Sequence, residues 1–564
     1  MELGVVLGVL GIVAANAVAP RIRVAAPLVL VLLGLLVSMQ TVLPVGRIVI
    51  PPEVILGGVL PLLLFASAVS MPAVSFRRNF GVIAGLSVTL VVITSLALGA
   101  LFDAILPGLG FAGGVALGAV ISPTDAVATS IVKRLGVAPR VVAVLDGEAM
   151  LNDASALVVL RTALAAVAAT GGGIGAAVGK FALSIAIATA IGIAVGFATL
   201  FVRRRIAQAT VNTLLSFAVP MLAFLPAEHA GASGLVAVVA AGLVIGQGAP
   251  RYLAATHRAN ERINWHTIEM LLEGGLFLVM GLQLVTLVDE SREHLGLALG
   301  LAGAALGVTL VARAIYVVPL LRGVRNQEAR YAAARDKLEG LRDGLVQTET
   351  AKAALADHEN ALIARMQARV RRVLADADYS ATSSLGIRDA ALLVWAGMRG
   401  AITVAAAETL PDEFPHRSLL VLVAFVVASG SLLLQGGTLA WVVRHLRFPP
   451  PDAESAAHER DQLGTEIERA GLAVLDAPAT AEAYDGELIA RMRERLVASR
   501  DTASFERTGA LVDQVFDAQR ARILDARRDG VYSTDALEQA LQRVDAMQLG
   551  MGITRRGRLG DEEA

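Results

Sequence analysis

Two short stretches set polar side chains into apolar surroundings. "GEAMLNDASALVV" (147–159) carries Glu148, Asn152 and Asp153, and "ISPTDAVATS" (121–130) carries Pro123, Thr124 and Asp125. On a helix Glu148 and Asn152 lie four residues apart and share a face, while Asp153 is turned about 100° from Asn152. A carboxylate withdrawn from water favours its protonated form, and an arriving cation favours the ionised form. Proton and cation then compete for one group, which is the chemistry open to Asp153. Glu148 suits a carboxylate neutralised by a neighbouring base. An Asp or Arg at mid-membrane costs about 2.5–3.5 kcal/mol on insertion scales, so such residues point to function.

Pro123 removes a backbone donor and clashes with the preceding turn, which opens the helix just before Asp125. Open backbone at membrane depth persists only where it lines a cavity or is buried in protein. A second candidate is "WAGMRGAITVAAAETLP" (395–411), with Arg399 between Gly397 and Gly400. Two opened helices facing each other expose their dipole ends. An acid on one, Asp125, and a base on the other, Arg399, would compensate those ends.

The elements that must hold these residues are membrane helices. The chain has 564 residues, 55% hydrophobic and 18% charged, with a mean hydropathy of +0.63. Charge-free runs near the roughly 20 residues needed to cross a bilayer recur at 24–46, 54–76, 80–102, 104–124, 181–202, 206–227 and 418–443. The pattern predicts an all-α polytopic membrane protein with thirteen spans: 3–19, 25–41, 54–71, 80–102, 110–131, 141–168, 174–202, 206–226, 231–248, 266–288, 296–321, 387–410 and 418–443. The first span lacks a basic leading region and is read as a span rather than a signal peptide.

Basic residues fall in alternate loops: Arg21 and Arg23; Arg77 and Arg78; Lys133, Arg134 and Arg140; Arg203, Arg204 and Arg205; Arg251, Arg258 and Arg262. Arg47, Arg292 and Arg417 lie in the intervening loops. This places the N-terminus outside and the C-terminus in the cytoplasm of a cell-membrane protein. Residues 322–386 form a mixed-charge cytoplasmic insertion of helical composition between the eleventh and twelfth spans. The transport domain is set at 1–445, and 446–564 is a soluble, helical and regulatory tail. Arg161, Lys180 and Glu269 fit span ends, where long side chains snorkel, and Glu273 fits either an end or the interior.

With no cysteine, disulfides and thiol chemistry are excluded. The eight histidines lie at loops, span ends or tails without ligand spacing. "GLGFAGG" (108–114) has neither a preceding strand nor a following lysine, so it is not a phosphate loop. Neither a cofactor nor nucleic acid is implied.

"SPTDAVA", "GEAMLND", "AEHAGASGLVAVVAAGLVIG" (227–246), "LFLVMGLQL" (276–284), "VARAIYV" (311–317) and "GMRGAITVAAA" (397–407) follow one another in this order. With them the chain resembles, over roughly residues 1–445, the monovalent cation/proton antiporters of the first cation–proton antiporter family, the sodium/proton exchangers. The resemblance implies a thirteen-helix inverted-repeat fold, usually a homodimer, with a dimerisation domain and a mobile core of six helices. It implies that Asp153 is the carrier of the monovalent cation and the proton, that Asn152 supports the site and that Thr124 contributes backbone and hydroxyl ligands, with Asp125 counted beside them in the ion-binding set. It also implies that Glu148 pairs with Arg313, and the Asn-Asp pair resembles the electroneutral branch. The chain departs from the family pattern at Ala66, where a glutamate is usual, and at Ala149, where a serine is usual.

The implied function is exchange of Na+, K+ or Li+ for H+ across the bilayer, with Na+ foremost. Two other readings use the same residues. A cation channel or non-transporting sensor fits a site thinned of oxygens by Ala66 and Ala149. An intramembrane aspartyl protease also needs two membrane aspartates, but in Tyr-Asp and Gly-x-Gly-Asp contexts rather than Thr-Asp and Asn-Asp.

Overall fold

The computed structural model describes residues 2–22, 24–39, 51–168, 174–290, 292–351, 385–411 and 413–448, with scattered positions between 465 and 494. Arg23, Arg47, Asp412, much of the 322–386 insertion and most of the tail lie outside the described residues. Two compact units divide the chain, Met1–Phe448 and Pro449–Ala564, and the fold below is that of the first.

All of its described elements are helical. They are α1 (Glu2–Ile22), α2 (Ala26–Ser38), α3 (Ile55–Ser70), α4 (Val74–Ile105), α5 (Gly110–Ile121), α6 (Val127–Arg134), α7 (Pro139–Ala168), α8 (Ile174–Arg203), α9 (Ala209–His229), α10 (Gly234–Tyr252), α11 (Ala255–Glu290), α12 (Leu295–Ala351), α13 (Ile387–Trp395), α14 (Ala401–Glu408) and α15 (Arg417–Leu446). Eight of them, α4, α7 to α12 and α15, are long and apolar enough to cross a membrane, and α1, α2, α3 and α5 are shorter apolar helices. The pairs α5/α6 and α13/α14 are each one helix interrupted by a few non-helical residues.

Small residues let these helices approach closely, as expected where lipid tails supply no hydrophobic drive between helices. A Cβ on Gly114 would press on the backbone of Gly99, and one on Gly118 on that of Ser95, so α5 lies directly on α4.

Three helices differ in extent from the sequence reading. α4 begins well before residue 80, because its polar first turns are used: buried Asn79 accepts from Arg140 Nε at 2.9 Å and donates to the Ser75 carbonyl. α11 begins at Ala255 rather than 266, because its first turns carry a buried polar network. There Arg203 Nη1 donates to Glu261 Oε1 at 2.7 Å, and Arg203 Nε to Asn212 Oδ1 at 2.8 Å. Ser216 Oγ donates to the same Glu261 oxygen and accepts from Trp265 Nε1. With every group partnered, this network joins α8, α9 and α11, at a place where charge alone had suggested a loop. α12 runs on past 321 to Ala351, since the Ala-, Arg- and Glu-rich sequence there favours helix and contains no proline.

Candidate ion site at the crossing of two broken helices

α5 ends at Ile121 because Pro123 supplies no amide, and helix resumes at Val127. α13 ends at Trp395 and α14 resumes at Ala401, with Gly397 and Gly400 in the gap. The two gaps meet: the amide of Asp125 donates to the carbonyl oxygen of Met398 at 2.8 Å.

Further open backbone is satisfied from α15. Ser431 Oγ accepts from the Arg399 amide at 2.7 Å and lies 3.2 Å from the Arg399 carbonyl, and Gln435 Nε2 donates to the Trp395 carbonyl at 3.1 Å. Gln435 sits in a π-helical turn, Leu432–Gly436, and Ser431 immediately precedes it. Unwound backbone at this depth is thereby buried in protein partners, the condition for its survival away from water.

Asp125 Oδ1 accepts from the Val127 amide at 2.9 Å, at the positive end of α6. Its carboxylate also lies against Gly400, the residue before α14, closely enough that a Cβ there would overlap it. One acid thus faces the N-termini of both resumed half-helices. Arg399, 2% exposed, donates through Nη1 to the Gly397 carbonyl beyond the end of α13, while its Nε has no partner among the described residues. The two residues sit at opposite kinds of helix end, and no bond between them is formed among the described residues.

Glu148 and Arg313 form a bidentate pair, Nη1 to Oε1 at 2.5 Å and Nη2 to Oε2 at 2.7 Å, with both residues almost wholly buried. Arg313 Nε donates to the Leu393 carbonyl at 2.7 Å, filling an acceptor in the last turn of α13. One guanidinium from α12 therefore ties α7 to α13. Gly397 lies against that guanidinium, where a side chain would collide with it.

Asn152 Nδ2 donates to Thr124 Oγ1 at 2.5 Å and lies 3.4 Å from the Thr124 carbonyl, while Thr124 Oγ1 lies 3.4 Å from Glu148 Oε1. Asn152 Oδ1 is buried and has no partner among the described residues. Asp153, next along α7, is 5% exposed and has no hydrogen-bond or ion-pair partner among the described residues, with Asp125 acting on it electrostatically. The structure brings Thr124, Asp125, Glu148, Asn152, Arg313 and Arg399 into one connected arrangement around the crossing, with Asp153 as its unbonded carboxylate. Among the described residues, no His/Asp/Glu group is arranged to hold a multivalent metal.

Ala66 is buried in α3, and Ala149 is half-buried in α7. Neighbouring Ser67 donates to Glu269 Oε1 of α11 at 3.1 Å, and Ser70 donates to the Ser67 carbonyl. Sequence reasoning missed Ser431 and Gln435, because a serine and a glutamine in an apolar helix gave no spacing signal. It also missed the partner of Arg161, which makes two bonds to Glu228 at 2.8 and 2.9 Å.

Membrane helices with two interrupted members crossing beside a buried carboxylate define a secondary transporter of the broken-helix class. Residues 7–445 match the family model for the transmembrane region of sodium/hydrogen exchangers. The chain belongs to that family and is a multi-pass membrane transporter, not an enzyme. An uncharacterised Na+/H+ exchanger of Mycobacterium bovis is 31% identical over 481 residues, covering 83% of this chain and 78% of the relative. The Na+/H+ antiporter NhaP of Pseudomonas aeruginosa is 27% identical, covering 72% of this chain and 84% of its own length. The fold is that of the sodium proton antiporter MjNhaP1 from Methanocaldococcus jannaschii, with a TM-score of 0.56 at 16% identity, covering 79% of this chain and 97% of that one.

Proposed function

We propose that the protein exchanges Na+ for H+ with one-to-one stoichiometry, by competition of the two ions for Asp153 during alternating access. One observation carries this reading. Of the carboxylates at the crossing, Glu148 is bound by Arg313 and Asp125 accepts the Val127 amide, whereas Asp153 is buried without a bond among the described residues. A proton or a cation can occupy that carboxylate in turn. The Thr124 carbonyl and hydroxyl and the unpartnered Asn152 Oδ1 supply neutral oxygens nearby. Since Asn152 does not titrate, the loaded site carries the same charge with either ion.

In this reading the N-terminus lies outside and the C-terminus in the cytoplasm of the cell membrane, following the alternation of basic loops, and the protein works as a homodimer. The transport domain is 1–445, and 446–564 is a regulatory tail. The deciding experiment records proton flux in proteoliposomes against Na+, K+ and Li+. Saturable, proton-coupled flux with Na+ is expected, and Asp153→Ala should abolish it while leaving the unfolding temperature intact. Wild-type flux in folded Asp153→Ala removes Asp153 as the carrier, and uncoupled cation current replaces the exchanger with a channel.

A further inference from the structure

The three consecutive arginines at the end of α8 do different things. Arg203 turns inward, is 1% exposed and is paired with Glu261 and Asn212. Arg204 and Arg205 turn outward and are exposed, with no acidic partner among the described residues. Their guanidinium carbons lie 4.2 and 4.1 Å from the centroid of one ring, that of Phe201. On the neighbouring helix Arg251 is also exposed, 5.5 Å from the Tyr252 ring. The chain supplies these cations with little counter-charge of its own. Between Asp153 and Glu261 its sole acidic residue is Glu228, near the opposite end of α9.

A groove opens beside Arg204, with Arg205 and Arg251 each one residue along the chain from a residue that lines it. Along most of their length α8 and α10 are in close contact, with Gly192 against Ala237 and Ala240, and Gly196 against Val244. At the basic end a cavity of about 350 Å³ is lined by Phe197, Ala198, Leu200, Phe201, Arg204 and Tyr252. Phe197 and Phe201 are large apolar side chains left about half exposed. The groove is therefore apolar along the helix and cationic at its mouth. Free phosphate would use only the mouth, and a neutral lipid only the wall.

We infer that this groove between the basic ends of α8 and α10 is a binding site for one anionic phospholipid. Its phosphate lies between Arg204, Arg205 and Arg251, and an acyl chain lies along Phe197 and Phe201. Stacking on Phe201 holds two guanidiniums near the headgroup and lowers the entropy lost when phosphate arrives. In the orientation proposed above, the site faces the cytoplasmic leaflet, whose anionic lipids attract such basic pockets.

The test uses full-length protein purified in detergent and delipidated, with thermal unfolding followed as phosphatidylglycerol, phosphatidylcholine or inorganic phosphate is added. Four proteins are compared: wild type, Arg204→Ala/Arg205→Ala, Ala198→Trp, which fills the groove and keeps the charges, and Arg134→Ala/Arg444→Ala, which removes exposed arginines elsewhere. Phosphatidylglycerol alone should raise Tm, with half-saturation shifted roughly tenfold or more upward in the first two variants and unchanged in the third. An equal response to phosphatidylcholine would show that charge is not read, and an equal response to inorganic phosphate that no acyl chain is needed; either overturns the site. Unchanged half-saturation in Ala198→Trp would also overturn it, by reducing the effect to diffuse surface charge. Native mass spectrometry of the wild type in an equimolar mixture of the two lipids decides without any variant. Preferential retention of phosphatidylglycerol supports the site, and statistical retention removes it.

Discussion

The amide of Asp125 donates to the carbonyl oxygen of Met398 at 2.8 Å, so the two unwound segments are each other's backbone partners. The same residue directs its carboxylate to the start of α6 and against Gly400, at the start of α14. Asp125 thus joins the two breaks through its amide and its carboxylate, whereas Asp153 makes no hydrogen bond or ion pair among the described residues.

Gly400 should accept no side chain. A Cβ at this position falls on the Asp125 carboxylate, and neither backbone segment can retreat without breaking the bond between them. Gly400→Ala is expected to lower Tm and to reduce flux severely, as read by thermal unfolding and proteoliposome transport. Wild-type values for both would show that the crossing is loosely packed.

The Glu148–Arg313 pair should be a stability element. Removing one partner leaves an uncompensated buried charge, at about 3–5 kcal/mol, and Arg313→Ala also orphans the Leu393 carbonyl. Arg313→Met and Glu148→Gln are each expected to lower Tm more than they change apparent ion affinity. The double variant should recover part of the loss. A double-mutant cycle with no coupling energy would deny the pair this role.

Exchange should be insensitive to membrane potential. If Asp153 alone titrates, no net charge moves per cycle, so a potential set with potassium and an ionophore leaves the sodium–proton equilibrium unchanged. Because protons occupy the site in competition with the cation, acidification on the cation-binding side should raise the apparent KM for Na+. A voltage-dependent equilibrium would require a second titrating carboxylate. Glu273 is the first candidate, since it lies within electrostatic reach of Asp125.

Two alanines should tune affinity. If Ala66 and Ala149 line the ion path, as the resemblance to the family implies, fewer oxygens replace the cation's hydration shell than a glutamate and a serine would supply. Ala66→Glu combined with Ala149→Ser is expected to lower the apparent KM for at least one cation in a flux assay across Na+, K+ and Li+. Identical KM values for all three would place both positions outside the site.

The membrane class, the all-helical fold and the positions of both helix breaks are legible in the amino-acid order alone. Charge-free runs, Pro123 and the Gly397/Gly400 pair are local signals, set by hydropathy and by backbone chemistry that acts within a few residues. The amino-acid order also singles out Asp153, because a carboxylate in apolar sequence is conspicuous without any partner in view. Which groups satisfy one another is visible only once distant helices are packed together. Ser431 and Gln435 complete the backbone of a segment more than thirty residues away, and Arg313 reaches Glu148 across 165 residues. Arg203 differs from Arg204 and Arg205 only in the direction it faces. Helix boundaries misjudged at residues 80 and 266 have the same origin, since a charged turn looks like a loop until a buried partner is in place. Hydropathy reports the cost of burying a group, whereas the partner that offsets the cost is fixed by packing between distant helices.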